Sequence, residues 1–419
     1  MGKGTERPER SGVRGSDPSR EGSPLVKSNC PICASERLAT LLHRPQVPVH
    51  QNLVMASQRA ATEIECGELA IVYCEDCSFV FNRSFDLSKL SYGEHYDNTQ
   101  TYSPRFQAHI DQLLTHLLVD QVVQHCRIVE VGCGRGQFLR SLIEPEAYGN
   151  TGHGFDPSYI GPLVACDGRL HFHTDYYGSD AESVPADVIV CRHVIEHIPD
   201  PLRMLRSIRR ALEASPNARV YFETPCVEWI LRNRTIQDFF YEHCSYFSTE
   251  SLRLAFQTCG FHVDNVLHVF GGQYLWLEAR LAAEVETPIR SAGAVTALAR
   301  EFSLDAERVQ ALSEQRMERL ARKGAVAIWG AGAKGATFAH LLDPERQWIS
   351  CIIDLNPEKQ GKYLPKTGHP IVGYEEISTR SIRSIILMNP NYRAEVEQLL
   401  FDAGLIVELL ESGTPGENE

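Results

Sequence analysis

Apolar positions recur along this chain with two periods, and their alternation outlines the architecture. Phe106, Ile110, Leu113, Leu114 and Leu117 predict an amphipathic helix. It leads into Ile128, Val129 and Val131, a short run that predicts a buried strand, followed by Gly132, Gly134 and Gly136 and then a helix over 137–143. Further strand-type runs end at Gly154-Phe155-Asp156 or span Leu170–Asp175, Ala186–Cys191 and Arg219–Glu223, and a late one covers Gly271–Glu278. Ser248-Thr-Glu-Ser251 predicts the N-cap of a helix through Leu252 and Phe256. A helix over 295–322 then joins a second set of strands at Ala325–Trp329, Cys351–Asp354 and Ser384–Met388. Strands alternating with helices call for parallel sheets, so the expected class is α/β.

Length and charge narrow the reading. A chain of 419 residues exceeds one hydrophobic core, and two or three domains are expected. Residues 1–29 are poor in apolar side chains and are expected to be a disordered leader; 411–419 form a tail. No apolar run reaches the length of a bilayer span and the N-terminus has no apolar signal segment, so a cytoplasmic location without membrane attachment is expected. The formal net charge of -13 speaks against a nucleic-acid partner, because phosphate binding relies on clustered Lys and Arg. A monomer or dimer acting on a small molecule is the expectation.

Most of the 13 cysteines read as buried thiols, but two pairs stand apart. Cys30-Pro-Ile-Cys33 and Cys74-Glu-Asp-Cys77 each predict a knuckle presenting two thiolates, and two knuckles complete a tetrahedral zinc site. Four thiolates leave no open coordination position, so the zinc is expected to be structural.

The first glycine loop carries cofactor chemistry. It reads G-x-G-x-G, with Glu130 two residues before the first glycine. A carboxylate there repels a pyrophosphate and pairs with the amino group of a methionyl moiety. Asp156, at the end of the next strand, is placed to accept ribose hydroxyls, and Asp175-Tyr176 lies where adenine contacts fall. Together Glu130, Gly132, Gly134, Gly136 and Asp156 resemble the S-adenosylmethionine site of class I methyltransferases. The second loop, Gly330-Ala-Gly-Ala-Lys-Gly335, fits G-x-G-x-x-G with Asp354 at the expected distance, and read alone it is a dinucleotide (NAD) site.

Two polar stretches are candidates for the reaction. Arg192-His-Val-Ile-Glu-His-Ile-Pro199 places His193 and His197 at the carboxyl end of a strand; a metal on one helix face is a poor reading, since no third ligand is evident. Tyr241, Glu242, His243 and Tyr246 pack acid, base and phenol into one aromatic-flanked stretch. Tyr92-Gly-Glu-His-Tyr96 reads either as a cover over the cofactor or as an exposed loop.

In this order of parts, with Lys359-Gln-Gly-Lys-Tyr-Leu-Pro365 near the end, the chain resembles the three-domain sugar C-methyltransferase family from Cys30 to about residue 410. The resemblance implies a zinc-binding domain over 30–90, a methyltransferase domain over 91–285 with a Rossmann-like core, and a Rossmann-like C-methyltransferase domain over 286–410. It implies methylation of the carbon beside a ketone of a nucleotide-linked deoxysugar, with the last domain holding the nucleotide sugar rather than NAD. It also implies His243 as base, assisted by Glu242 and His197; Tyr92 or Tyr246 is then expected to join His197 in stabilising the enolate. Where that family has Tyr-His-Glu-His, this chain has Phe240-Tyr241-Glu242-His243, so a different keto substrate is open. The other readings are O- or N-methylation of a small natural product and a noncatalytic scaffold.

Overall fold

The computed structural model describes residues 27–90, 102–178, 184–284, 288 and 290–413. Tyr92 and its cluster, residues 1–26 of the expected leader and residues 414–419 of the tail lie outside them.

The described residues build three sheets. The first takes β1 (Leu38–Pro48), β2 (Cys66–Cys74) and β3 (Val80–Asn82), and it is completed by β10 (Ser245–Tyr246) from far along the chain, in the order β1-β2-β3-β10. The central sheet uses β4 (Arg127–Val131), β5 (Thr151–Phe155), β6 (Val164–Ala165), β7 (Leu170–His173), β8 (Val188–Arg192), β9 (Arg219–Pro225), β11 (Phe261–Val269) and β12 (Tyr274–Leu281). Its order is β11-β12-β9-β8-β4-β5-β7-β6. β4, β5, β7, β8 and β9 run parallel, and β6, β11 and β12 pair antiparallel with their neighbours. The third sheet is parallel throughout, in the order β15 (Ile371–Val372), β14 (Ile349–Ile353), β13 (Ala325–Trp329), β16 (Ile382–Leu387) and β17 (Glu408–Glu411).

The central strands are buried on both faces, which is why Ile128–Val131 and Val188–Cys191 read as nearly unbroken apolar runs. β4 lies between β5 and β8, the point where strand order reverses, which is where open α/β sheets place ligands, beyond the carboxyl ends of the strands. The expected third strand stops at His173, so Asp175 and Tyr176 fall on the turn after it. The expected late strand begins at Tyr274, and its hairpin partner β11 was not legible, because β11 buries few side chains and carries His262, Asp264, Asn265 and His268. Gly271 makes room for Asn391: a Cβ there would lie 2.5 Å from the Asn391 Oδ1.

The long helix Val295–Lys323 packs its buried face, including Ala299, Phe302 and Val309, on β1 and on the residues before His243. No helix among the described residues is long and apolar enough to cross a membrane.

Candidate active site

The two cysteine knuckles fold alike. Ala34 N–H closes on the Cys30 carbonyl and Ser78 N–H on the Cys74 carbonyl, with Ala34 and Ser78 both left-handed at φ 60° and 64°. This brings Cys30 Sγ within 3.5 Å of Cys77 Sγ, and Cys33 Sγ within 3.5 Å of Cys74 Sγ. All four sulfurs lie within 4.8 Å of one another and are buried as free thiols. A tetrahedron with Zn–S arms of about 2.3 Å has edges near 3.8 Å, so the four cysteines fit that ion.

Around the first loop, the glycines do different work. A Cβ on Gly132 would meet Val194 at 2.2 Å and one on Gly136 would meet Phe172 at 2.3 Å, so these two serve close packing. Gly134, at φ 52°, faces open space. Asp156 braces the loop by accepting the Gly134 N–H at 2.8 Å and, with its other oxygen, the Ser158 N–H and hydroxyl. Glu130 is buried with Oε2 unpartnered, and burial pushes its pKa up to about 8. A buried carboxylate beside an open cradle suits a cationic amino group. Asp175 and Tyr176 are exposed on the next turn, Tyr176 by 73%.

The histidines gather at the carboxyl ends of β8 and β9. His193 stands in the left-handed region at φ 54°, and only Ile195–His197 form a short helical turn, so the pair never lies on one α-helix face. Its ring sits between Glu196 and Glu223, each 3.4 Å away. Burial opposes its charge, but the two carboxylates outweigh burial and push its pKa up to about 9. Burial likewise opposes ionisation of Glu223; Arg192 at 2.8 Å, His193 and His109 nevertheless hold it well below the carboxylate range. His109, Glu196 and Glu223 escaped sequence reasoning because nothing in their spacing marks them as partners.

His243 packs edge-on against His197 with ring centroids 4.7 Å apart, and against Phe240 at 4.2 Å. Burial first, then the neighbouring His197, His193 and Lys334, push its pKa well below the ordinary 6.5, so it is neutral. His197 donates its Nδ1–H to the Glu242 carbonyl at 2.9 Å, which directs Nε2 away from that bond. Glu196, His197 and His243 bring ligand-type atoms within 4.8 Å of one another, a set that overlaps this pair.

Two expected roles need correction. The Glu242 carboxylate does not orient His243: it is fully buried and accepts the Gln51 and Asn52 N–H groups at 2.9 and 3.3 Å. The Tyr246 hydroxyl is bound at 3.1 Å to both backbone groups of Phe240, so it is held away from a substrate. Tyr241 is tied to the Asp86 backbone in the same way.

The second glycine loop closes the site from the C-terminal domain. Lys334 lies 2.7 Å from Asp238 and over the Trp229 ring at 5.1 Å. Asp354 accepts the Ala331 N–H at 2.7 Å, and Asn52 Oδ1 accepts the Ala333 N–H at 3.0 Å. An amide oxygen thus stands at the helix start where a dinucleotide fold presents its amides to pyrophosphate.

A sheet switch point, a G-x-G-x-G cradle and two acidic residues, Glu130 within β4 and Asp156 just after β5, define a class I S-adenosylmethionine-dependent methyltransferase. Residues 96–266 match the methyltransferase domain family, and 278–402 match the C-methyltransferase C-terminal domain family. Over 388 residues the chain is 30% identical to C-methyltransferase NovU of Streptomyces niveus, covering 88% of this chain and 90% of that one. The chain belongs to this C-methyltransferase family. A ubiquinone biosynthesis O-methyltransferase of Sodalis glossinidius matches only the cofactor region, at 31% identity over 23% of this chain and 40% of its own. Among solved structures, the riboflavin-derivative dimethyltransferase RosA of Streptomyces davawensis aligns with 42% of this chain and 54% of its own, at 21% identity and a TM-score of 0.34.

Gly134→Val is expected to abolish measurable S-adenosylmethionine binding in a calorimetric titration, since it fills the open cradle. The left-handed backbone adds about 1–3 kcal/mol of strain, which thermal unfolding will register. Unchanged affinity would place the cofactor elsewhere.

Proposed function

We propose that the enzyme methylates the carbon next to a ketone in a nucleotide-linked deoxysugar or related keto compound, through an enolate. The observation that carries this reading is the neutral His243 packed against His197, whose Nδ1–H is fixed by a backbone carbonyl. O- and N-methylation start from a heteroatom lone pair, whereas a carbon-bound proton must first be removed by a base.

S-adenosylmethionine supplies an electrophilic methyl group, and Glu130, Gly134 and Asp156 are the residues that would hold it. His243 takes the proton from carbon and becomes imidazolium. His197, held through Nδ1 by the Glu242 carbonyl, is the group assigned to the enolate oxygen, and His243 returns its proton to solvent after transfer. Tyr92 remains a candidate second donor. Lys334, Asp238 and Trp229 cluster on the C-terminal side, where the nucleotide-linked part is proposed to sit. Asn52 at the second glycine loop supports assigning that domain to the substrate rather than to NAD. Cys30, Cys33, Cys74 and Cys77 are proposed to hold a structural zinc.

Labelled S-adenosylmethionine with a panel of nucleotide-linked keto deoxysugars tests this directly. Transfer to carbon beside the ketone is expected; label on oxygen or nitrogen would favour the alternative methyltransferase reading, and no transfer to any acceptor would favour the scaffold. The pH profile gives a second check. A base whose pKa is depressed works in its deprotonated form, so kcat/KM should hold as pH falls through 6.5 and decline only below it. An acid limb above 6.5 would contradict a half-buried, neutral His243.

A further inference from the structure

The residues after β1, Val49–Asn52, form a buried strap between the first domain and the other two. On one side, the Gln51 and Asn52 N–H groups share the Glu242 Oε2. On the other, Asn52 Oδ1 accepts the N–H of Ala333, first residue of the helix Ala333–Leu342. That helix has Gly332 at its N-cap and so lacks a side chain of its own to satisfy the amide. The acceptor is supplied from another domain. Glu242, in turn, gives its carbonyl to the His197 Nδ1–H. A hydrogen-bonded path therefore runs from the C-terminal glycine loop through Asn52 and Glu242 to His197, and by ring contact to His243.

We propose that Asn52 is a positioning residue: it fixes the C-terminal domain to the strap and so sets where Glu242 holds His197 and His243. The inference rests on the reading of those histidines as the proton-handling pair. Loss of the Asn52 side chain frees the helix start from the strap, and the backbone N–H groups that neutralise the Glu242 carboxylate lose their anchor. Orphaning a buried charge is costly, so Glu242 must shift with them. Displacements of about 1 Å at a reacting centre cost up to roughly 100-fold in rate.

The test uses the 419-residue chain, purified without chelator, with Asn52→Ala, Asn52→Asp and His243→Asn. Asn52→Ala is expected to lower kcat by about 10- to 100-fold on the panel sugar that the unsubstituted enzyme turns over, with KM for S-adenosylmethionine unchanged. Asn52→Asp keeps an oxygen acceptor at the helix start, where a carboxylate is favoured, and should restore most of the rate. A substrate-free readout is solvent exchange of the His197 Nδ1–H by NMR in histidine-labelled protein. It should quicken about tenfold or more in Asn52→Ala and stay slow in Asn52→Asp. Normal kcat and exchange in Asn52→Ala, with His243→Asn inactive, overturn the coupling and leave the histidine reading intact. Equal losses in both Asn52 variants, accompanied by weaker cofactor binding and a lower Tm, also overturn it, because they show only structural damage. Full activity in His243→Asn overturns the histidine reading and the coupling with it.

Discussion

His243→Asn is expected to lower methyl transfer by roughly 10²- to 10⁴-fold, the range that a positioned base supplies, while S-adenosylmethionine and the acceptor remain bound. Asparagine has similar bulk and cannot accept the proton at neutral pH. The ring it replaces packs on Phe240 and His197, with the Glu196 carboxylate within 4.8 Å. An enzyme that forms an enolate also washes solvent deuterium into the carbon beside the ketone when S-adenosylhomocysteine blocks transfer. Exchange and transfer should be lost together in this variant. Loss of transfer with exchange intact would give His243 a positioning role and move the base to His197, since the Tyr246 hydroxyl is committed to Phe240. Full activity would remove His243 from the reaction.

Cys74→Ser is expected to cost both zinc and catalysis. Structural zinc contributes about 10–16 kcal/mol of apparent folding free energy in zinc-finger peptides, comparable to the whole stability of a domain. Part of that term is enough to melt the knuckles. The consequence travels through the first sheet: β3 follows Cys77 directly, pairs with β10 through Ser245 and Tyr246, and Asn82 N–H donates to the Cys244 carbonyl at 3.0 Å. Cys244 is the neighbour of His243. Removing the metal should therefore lower the Tm and disorder the loop that carries His243, with activity falling in step. About one zinc per chain is expected by elemental analysis. Protein purified without chelator and containing no zinc would remove the metal from the account, and Cys74→Ser with full zinc and an unchanged Tm would remove the cluster.

How much was legible depended on how local the signal was. Glu130, the three glycines and Asp156 were readable because a strand, a glycine turn and a helix start must follow one another within a few residues. The cysteine pairs were readable because a knuckle is a four-residue object, although its partner lies some forty residues away. His243 and His197 became candidates from residue type and their place after strands, and the resemblance gave them roles. The assignments that needed correcting, Glu242 and Tyr246, share one feature. The direction of a side chain inside a loop is set by what the rest of the fold brings against it, and Gln51, Asn52 and the Phe240 backbone were not predictable neighbours.

By itself, then, the sequence determined the α/β class, the two glycine loops and the paired cysteine knuckles, because hydrophobic period and short-range backbone constraints are written locally. The tertiary structure decided which hydrogen bonds the buried polar groups make. It placed Asn52 across the second glycine loop, gave His193 its two carboxylate neighbours, and sent β10 into the sheet of the first domain. Each of these joins residues remote in sequence. A buried polar group must find a partner wherever packing provides one, and spacing along the chain carries no record of that choice.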